Sequence, residues 1–149
     1  MKVMFVSTHG GHLAHLLWLR SWWEEHARVW VVPDTPDTRD RLGAEQAWFL
    51  PGRSPRSPLV IAAEVIRASQ ILRKERPDVL MSAGAGFTVP YFLAAHLMGV
   101  PTVFLEVYDR VDKPTLTGRF VSRIATRVLV QWPQQARFYP GAVCVGTLR

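Results

Sequence analysis

The sequence predicts a Rossmann-like, doubly wound α/β domain, with a mostly parallel sheet covered by helices on both faces. Three observations carry this prediction. Short apolar runs rich in β-branched residues recur along the chain. They are continuous rather than alternating, as in strands buried on both sides. Helical patterns fill most of the gaps between them. A length of 149 residues suits a single domain spanning 1–149, since a chain of this size buries roughly two-thirds of the surface it exposes when unfolded.

The first run, Val3 to Val6, leads through "STHGGHLAHLL" into a helix. That helix presents Leu13, Leu16, Leu17, Leu19 and Trp23 on one broad apolar face, with Trp18 and Trp22 one turn apart on roughly the opposite side. A helix apolar nearly all round is either buried under neighbouring loops or docked on something, and Arg20 and Arg28 nearby make a membrane surface or a partner the functional alternative. Val29 to Val32 and Ala47 to Leu50 read as the second and third strands. The basic loop "PGRSPRSP", with Arg53 and Arg56, precedes the clearest helical pattern, Leu59 to Arg76. There Ile61, Val65, Ala68 and Leu72 recur at three- and four-residue steps, and Pro77 ends the helix. Val79 to Met81 is the next strand, followed by a helix through Phe92 and Ala95. Thr102 to Leu105, Val128 to Val130 and a weaker run at Val143 to Val145 complete the series.

A net charge of +6 and a pI near 10.2 favour an anionic partner, whether nucleic acid, a phosphorylated substrate or an acidic membrane. No basic and aromatic groove points to nucleic acid. The longest apolar region, Val89 to Leu105, is interrupted by His96, Gly99 and Pro101, so no membrane-spanning helix is predicted. Cys144 has no cysteine to pair with, which makes a cytosolic setting the default, and its apolar context "AVCVG" predicts a buried filler.

In doubly wound sheets the ligand sits beyond the carboxyl ends of the strands. Gly10 and Gly11 permit close backbone approach there, and the following helix aims its positive end at the same place, an arrangement suited to phosphate. It is not G-x-G-x-x-G, and Asp34 after the second strand lacks the rest of a dinucleotide fingerprint. His12, at the helix start, reads as a neutral proton acceptor or as a capping residue. Ser82, Gly84 and Gly86 in "SAGAGFTVP" form a second glycine turn. Glu106 opens a third segment, as a catalytic or sugar-binding carboxylate or as a structural ion pair, while Arg110, Lys113 and Arg119 offer anion contacts near Thr115 and Thr117. Asp109 and Asp112 read as loop residues.

The stretches "STHGGHLAHLL", "SAGAGFTVP", "EVYDRVDKPTLTGRF" and "VLVQWPQQARFYPGAVCVGTL" together resemble the asparagine-linked-glycosylation subunit fourteen family, whose bacterial relatives are polysaccharide-biosynthesis subunits. The likeness runs over nearly the whole chain and is most specific in the last third. It implies the N-terminal, acceptor-side half of a GT-B glycosyltransferase split over two polypeptides, inactive alone, with a partner subunit binding UDP-N-acetylglucosamine or a related UDP-hexose. It implies a polyprenyl-diphosphate-linked sugar as acceptor, inversion at the transferred sugar, and no metal or other cofactor. Carried over by position, Gly10, Gly11 and His12, then Gly84 and Gly86, then Glu106, Arg110, Thr117 and Gly118 fall on the family's motifs. His12 and Glu106 become the catalytic pair, His12 favoured as base. Eukaryotic members carry an N-terminal membrane helix, and this chain opens directly on its first strand. The expectation here is therefore peripheral attachment to the acidic cytoplasmic face of a membrane through Trp18, Trp22 and basic residues. A non-catalytic scaffold that recruits a partner transferase is the alternative.

Overall fold

The computed structural model describes residues 1–52 and 57–148, so the basic loop positions Arg53 and Arg56 lie outside the described residues. The elements run β1 (Lys2–Val6), α1 (Gly11–Leu17), α2 (Arg20–Trp23), β2 (Ala27–Pro33), α3 (Pro36–Leu42), β3 (Ala47–Leu50), α4 (Pro58–Glu75), β4 (Val79–Ser82), α5 (Val89–Met98), β5 (Thr102–Leu105), α6 (Leu116–Val121), β6 (Arg127–Val130) and β7 (Val143–Cys144). Short 3-10 helices cover Gly86–Thr88 and Pro133–Phe138. The strands form one sheet in the order β3-β2-β1-β4-β5-β6-β7, and every pairing is parallel.

The continuous apolar runs have a direct explanation in this sheet. Met4 and Val6 of β1 join Val29, Val31, Leu80 and Phe104 against α4 and α5. Val3 and Phe5 join Trp30, Val32, Met81 and Leu105 against α1, α2 and α3. Both faces are core, so the strand interiors are apolar, with the polar Ser82 and Thr102 at strand ends, and each buried apolar side chain contributes about 1.5–3 kcal/mol by leaving water. Ser57 caps α4 with Pro58 in its first turn, and Arg76 ends it in the left-handed conformation before Pro77. This helix carries the chain from β3 past β2 and β1 to lay β4 on the far side of β1. The strand order therefore reverses between β1 and β4, and the crevice outside their carboxyl ends is the expected ligand site.

Two expectations are corrected. The first helix is not one helix but two short ones, α1 and α2, because Trp23 turns inward. Its indole N–H donates to Leu16 O at 2.9 Å, and Leu19 N–H also reaches that carbonyl at 3.2 Å. The acceptor an unbroken helix would offer to Arg20 N–H is thus occupied, and Trp23 packs edge-on against Phe5 and Trp30. Cys144 is exposed rather than buried, since β7 is a short edge strand paired on one side with β6.

Candidate active site at the strand-order switch

The turn after β1 is set by backbone geometry. Gly10 takes φ +73°, a region closed to most side chains. Its N–H is not open to a ligand, however: it donates to Asp37 Oδ2 at 3.0 Å. That bond, with the Arg41 guanidinium beside it, holds the Asp37 carboxyl below the usual carboxylate range. A phosphate seated at Gly10 would meet this negative charge. Gly11 lies one residue on and is exposed.

His12 reaches across the switch, with Nδ1 2.9 Å from Ala83 O in the turn after β4. A carbonyl only accepts, so Nδ1 is the donor, and in the neutral ring that leaves the acceptor lone pair on Nε2. In the second turn, Ser82 is buried, its hydroxyl accepting the Gly84 N–H at 3.0 Å. Gly84 has φ +100°, and a Cβ there would stand 3.3 Å from the Phe104 ring and in ordinary contact with His12 Cε1 at 3.8 Å, so its backbone conformation and Phe104 call for glycine. Gly86 opens the 3-10 turn that leads into α5.

Glu106 begins the loop after β5 and is 0% exposed. Its carboxylate accepts the N–H of Val107 at 3.0 Å, the N–H of Thr115 at 3.3 Å, and the hydroxyls of Thr115 and Tyr139. Burial pushes its pKa up against the pull of those donors, and burial with the Glu106 contact pushes the Tyr139 phenol up as well. Gly118 is packed against the same cluster: a Cβ there would come within 2.8 Å of both Glu106 Oε2 and Thr115 Oγ1, and onto the Tyr139 hydroxyl. Among the described residues no cation pairs with Glu106; it is a buried acceptor that gathers the two ends of its own loop.

A cavity of about 400 Å³ opens between the first turn and this loop. Gly11, His12 and His15 line one side, and Tyr108, Asp109, Arg110 and Thr115 the other. His15 is fully engaged, with Nδ1 2.6 Å from Gly11 O and Nε2 accepting the Tyr108 N–H at 3.2 Å, and its ring lies against Trp18 and Tyr108. An adjoining cavity of about 510 Å³ shares Arg110 and Thr115 and adds Lys113, Thr117 and Arg119. The pair of cavities therefore presents two groups able to accept a proton, His12 and the Asp109 carboxylate, next to a cationic rim. Of the residues expected at the site, His12, Gly11, Arg110 and Thr117 line these cavities, whereas Glu106, Gly118, Ser82 and Gly84 lie buried beneath their walls. Trp18 and Trp22, 38% and 41% exposed, pack against different neighbours, Trp18 on His15 and Tyr108 and Trp22 edge-on to Phe5 and His26. His15, Tyr108 and Tyr139 escaped the sequence reading. His15, three residues after His12, carried the most accessible signal.

Among the described residues no group of three or more His, Cys, Asp or Glu side chains is disposed to hold a metal ion, and no helix is long and apolar enough to cross a membrane.

The fold is that of one Rossmann-like half of a GT-B enzyme. It matches Acinetobacter baumannii MurG with a TM-score of 0.74 over 90% of this chain and 43% of that one, at 19% identity. It matches a UDP co-structure of S. aureus MnaA at 0.75 over 99% of this chain and 45% of that one, at 16% identity. The chain belongs to the Alg14-like family of oligosaccharide biosynthesis proteins, whose model matches residues 53–148. The turn at Gly10 to His12 precedes the matched span. Two curated relatives are UDP-N-acetylglucosamine--N-acetylmuramyl-(pentapeptide) pyrophosphoryl-undecaprenol N-acetylglucosamine transferases. The one from Methylococcus capsulatus is 32% identical over 91 residues, 61% of this chain, and the one from Clostridium botulinum 33% identical over 92 residues, 60% of this chain. In each case the match spans 25% of the relative's length.

Proposed function

We propose that this chain is the acceptor-binding subunit of a two-component UDP-N-acetylglucosamine, or related UDP-hexose, transferase of polysaccharide or lipid-linked oligosaccharide biosynthesis. A partner subunit supplies the donor-binding half, and the acceptor is a sugar on a polyprenyl diphosphate. The observation that carries this reading is His12, its Nδ1 committed to Ala83 O, lining a cavity that Arg110 also lines. Family membership and the pyrophosphoryl-undecaprenol acceptor in the relatives' names support it.

In this reading Nε2 takes the proton of the attacking sugar hydroxyl. The hydroxyl oxygen bonds to the anomeric carbon of the donor as the bond from that carbon to UDP breaks, UDP leaves with the electron pair, and the configuration inverts. Arg110, Lys113 and Arg119 hold the diphosphate, and Gly11 and Thr117 lie along the acceptor's path. Gly10, Ser82, Gly84, Gly86 and Gly118 shape the walls, and Glu106 anchors the loop rather than reacting. The net charge of +6 and the exposed edges of Trp18 and Trp22 suit peripheral attachment to the cytoplasmic face of an acidic membrane, which binding to acidic liposomes at low salt tests.

The deciding experiment is transfer of radiolabelled N-acetylglucosamine from its UDP form to a polyprenyl-diphosphate-sugar, with this chain alone and together with the product of a neighbouring gene. Transfer only with both chains is the expected result. An active pair indifferent to His12→Ala would leave the scaffold reading in its place.

A further inference from the structure

The loop that carries Tyr108, Asp109 and Arg110 into the cavity begins where the β5–β6 ladder stops. The last ladder-like bond is Glu106 N–H to Leu129 O at 2.9 Å. Beyond it the loop's carbonyls have no strand to pair with, and a buried carbonyl without a donor is costly. One short segment, residues 131–135, supplies the donors from its side chains. Gln131 Nε2 donates to Glu106 O at 3.1 Å, Gln135 Nε2 to Val107 O at 2.8 Å, and the indole N–H of Trp132 to Tyr108 O at 2.8 Å.

The direction of this grip is fixed by Gln135. Its Oε1 accepts the N–H groups of both Gln131 and Trp132, at 2.8 and 3.1 Å. The oxygen end is therefore committed to donors and the nitrogen end must face the loop carbonyls, with Arg110 O a longer second partner at 3.4 Å. Gln131 and Gln135 are both buried, so water does not compete. From the other side His15 takes the Tyr108 N–H. The peptide flanking Tyr108 is thus held from α1 and from the segment after β6 at once, immediately before the residues that face the cavity. Trp132 and Gln135 do not line that cavity.

We infer that Trp132 and Gln135 are positioning residues for the acceptor: through the main chain of residues 107–110 they set where Tyr108, Asp109 and Arg110 stand relative to His12. The inference rests on the transferase reading of the same cavity. It places specificity for the acceptor under the control of side chains that never touch it.

Two variants of the reconstituted pair test it. Trp132→Phe deletes the N–H to Tyr108 O and keeps an aromatic ring. Gln135→Glu keeps the acceptor for the two N–H groups and turns an oxygen toward Val107 O. The acceptor KM is expected to rise about two- to tenfold in Trp132→Phe, the worth of one net hydrogen bond, and further in Gln135→Glu. The donor KM should stay unchanged, and the Tm of Trp132→Phe should fall by only a few degrees, the cost of one unpaired carbonyl. In the chain alone, amides 108–110 should exchange hydrogen faster in Trp132→Phe. Because the variants act on different carbonyls, misfolding of one leaves the other as the test. An unchanged acceptor KM in an active pair, or equal effects on donor and acceptor, overturns the inference. A wild-type pair that transfers no sugar overturns the transferase reading and the acceptor role with it, whereas unchanged exchange at 108–110 overturns the clamp itself whatever the activity.

Discussion

The turn after β1 and the loop after β5 face each other across the same cavity and are held in opposite ways. The first is short and fixed mainly by backbone, with the Asp37 and His15 side chains on Gly10 N–H and Gly11 O: Ser7 N–H bonds to Val31 O at 3.1 Å, Gly10 O accepts from Ala14 N–H at 3.0 Å, and Gly10 supplies the positive φ. It presents a ring nitrogen whose tautomer is set by a second backbone group. The second, residues 106–115, is long and fixed by side chains around the buried Glu106 carboxylate, and it presents charges. In the proposed reaction the proton-transfer group then sits on the stiffer element, where small errors in its position are costly, and a cationic rim proposed to meet a diphosphate tolerates more freedom. The Glu106 carboxylate ties the loop together through its four donors.

Removing the ring nitrogen should have the largest effect. His12→Ala in the reconstituted pair is expected to lower turnover by about 10²–10⁴-fold with little change in acceptor KM, read by steady-state kinetics. On the loop side the corresponding lesion is Gly118→Ala. The new methyl would press on Glu106, Thr115 and Tyr139, and the expected loss is about 1–3 kcal/mol of stability, read as a lower denaturation midpoint. If Gly118→Ala is tolerated, the carboxylate cluster is looser than described and the contrast between the two elements fails.

Glu106 also gives the loop a pH dependence opposite in sign to that of Asp37 at the turn, whose carboxyl is held low by the Gly10 N–H. The folded pKa of Glu106 is raised by burial, so its contribution to stability is fully present below the ordinary carboxylate value and is lost as pH rises through the folded value. Glu106→Gln removes that titration and turns an amide N–H toward groups that are themselves donors, at a cost of about 1–3 kcal/mol. The variant's deficit should shrink as pH increases. Denaturation midpoints measured across pH check the sign; a deficit that grew with pH would mean that the four donors outweigh burial and that the folded pKa is lowered.

Much of the fold was legible because parallel strands buried on both faces must read as unbroken apolar runs, and because Pro77 and the glycine turns punctuate them. The two glycine turns past β1 and β4 were legible, but the strand order that makes them a switch point was not. What stayed hidden depends on partners distant in sequence. The break between α1 and α2 follows from Trp23 reaching Leu16 O, and periodicity cannot register a side chain that captures a carbonyl seven residues back. Cys144 is exposed because β7 is an edge, which is a property of strand order. Glu106 was placed correctly after its strand, but its role is decided by Tyr139, 33 residues on. His12 was singled out from its place at a helix start; that its partner is Ala83, in the second glycine turn, only the structure gives.

The smallest predicted effect sharpens the likeness between the two glycine turns. Gly10 has φ +73° and ψ −135°, and Ala85, in the turn after β4, has φ +77° and ψ 153°. Glycine enters these regions freely, whereas a non-glycine residue there costs on the order of 1–3 kcal/mol. Ala85→Gly relieves that strain and gives back roughly 0.4–1 kcal/mol through the greater freedom of the unfolded chain. The net expectation is a gain of about 1 kcal/mol, with the His12 to Ala83 bond and turnover unchanged. Equilibrium denaturation decides it. A gain would identify the two turns as the same backbone device, one built with its natural residue and one strained. A loss would mean that the Ala85 methyl packs well enough to outweigh its conformation, and that the second turn is held by side chains after all, as the loop after β5 is.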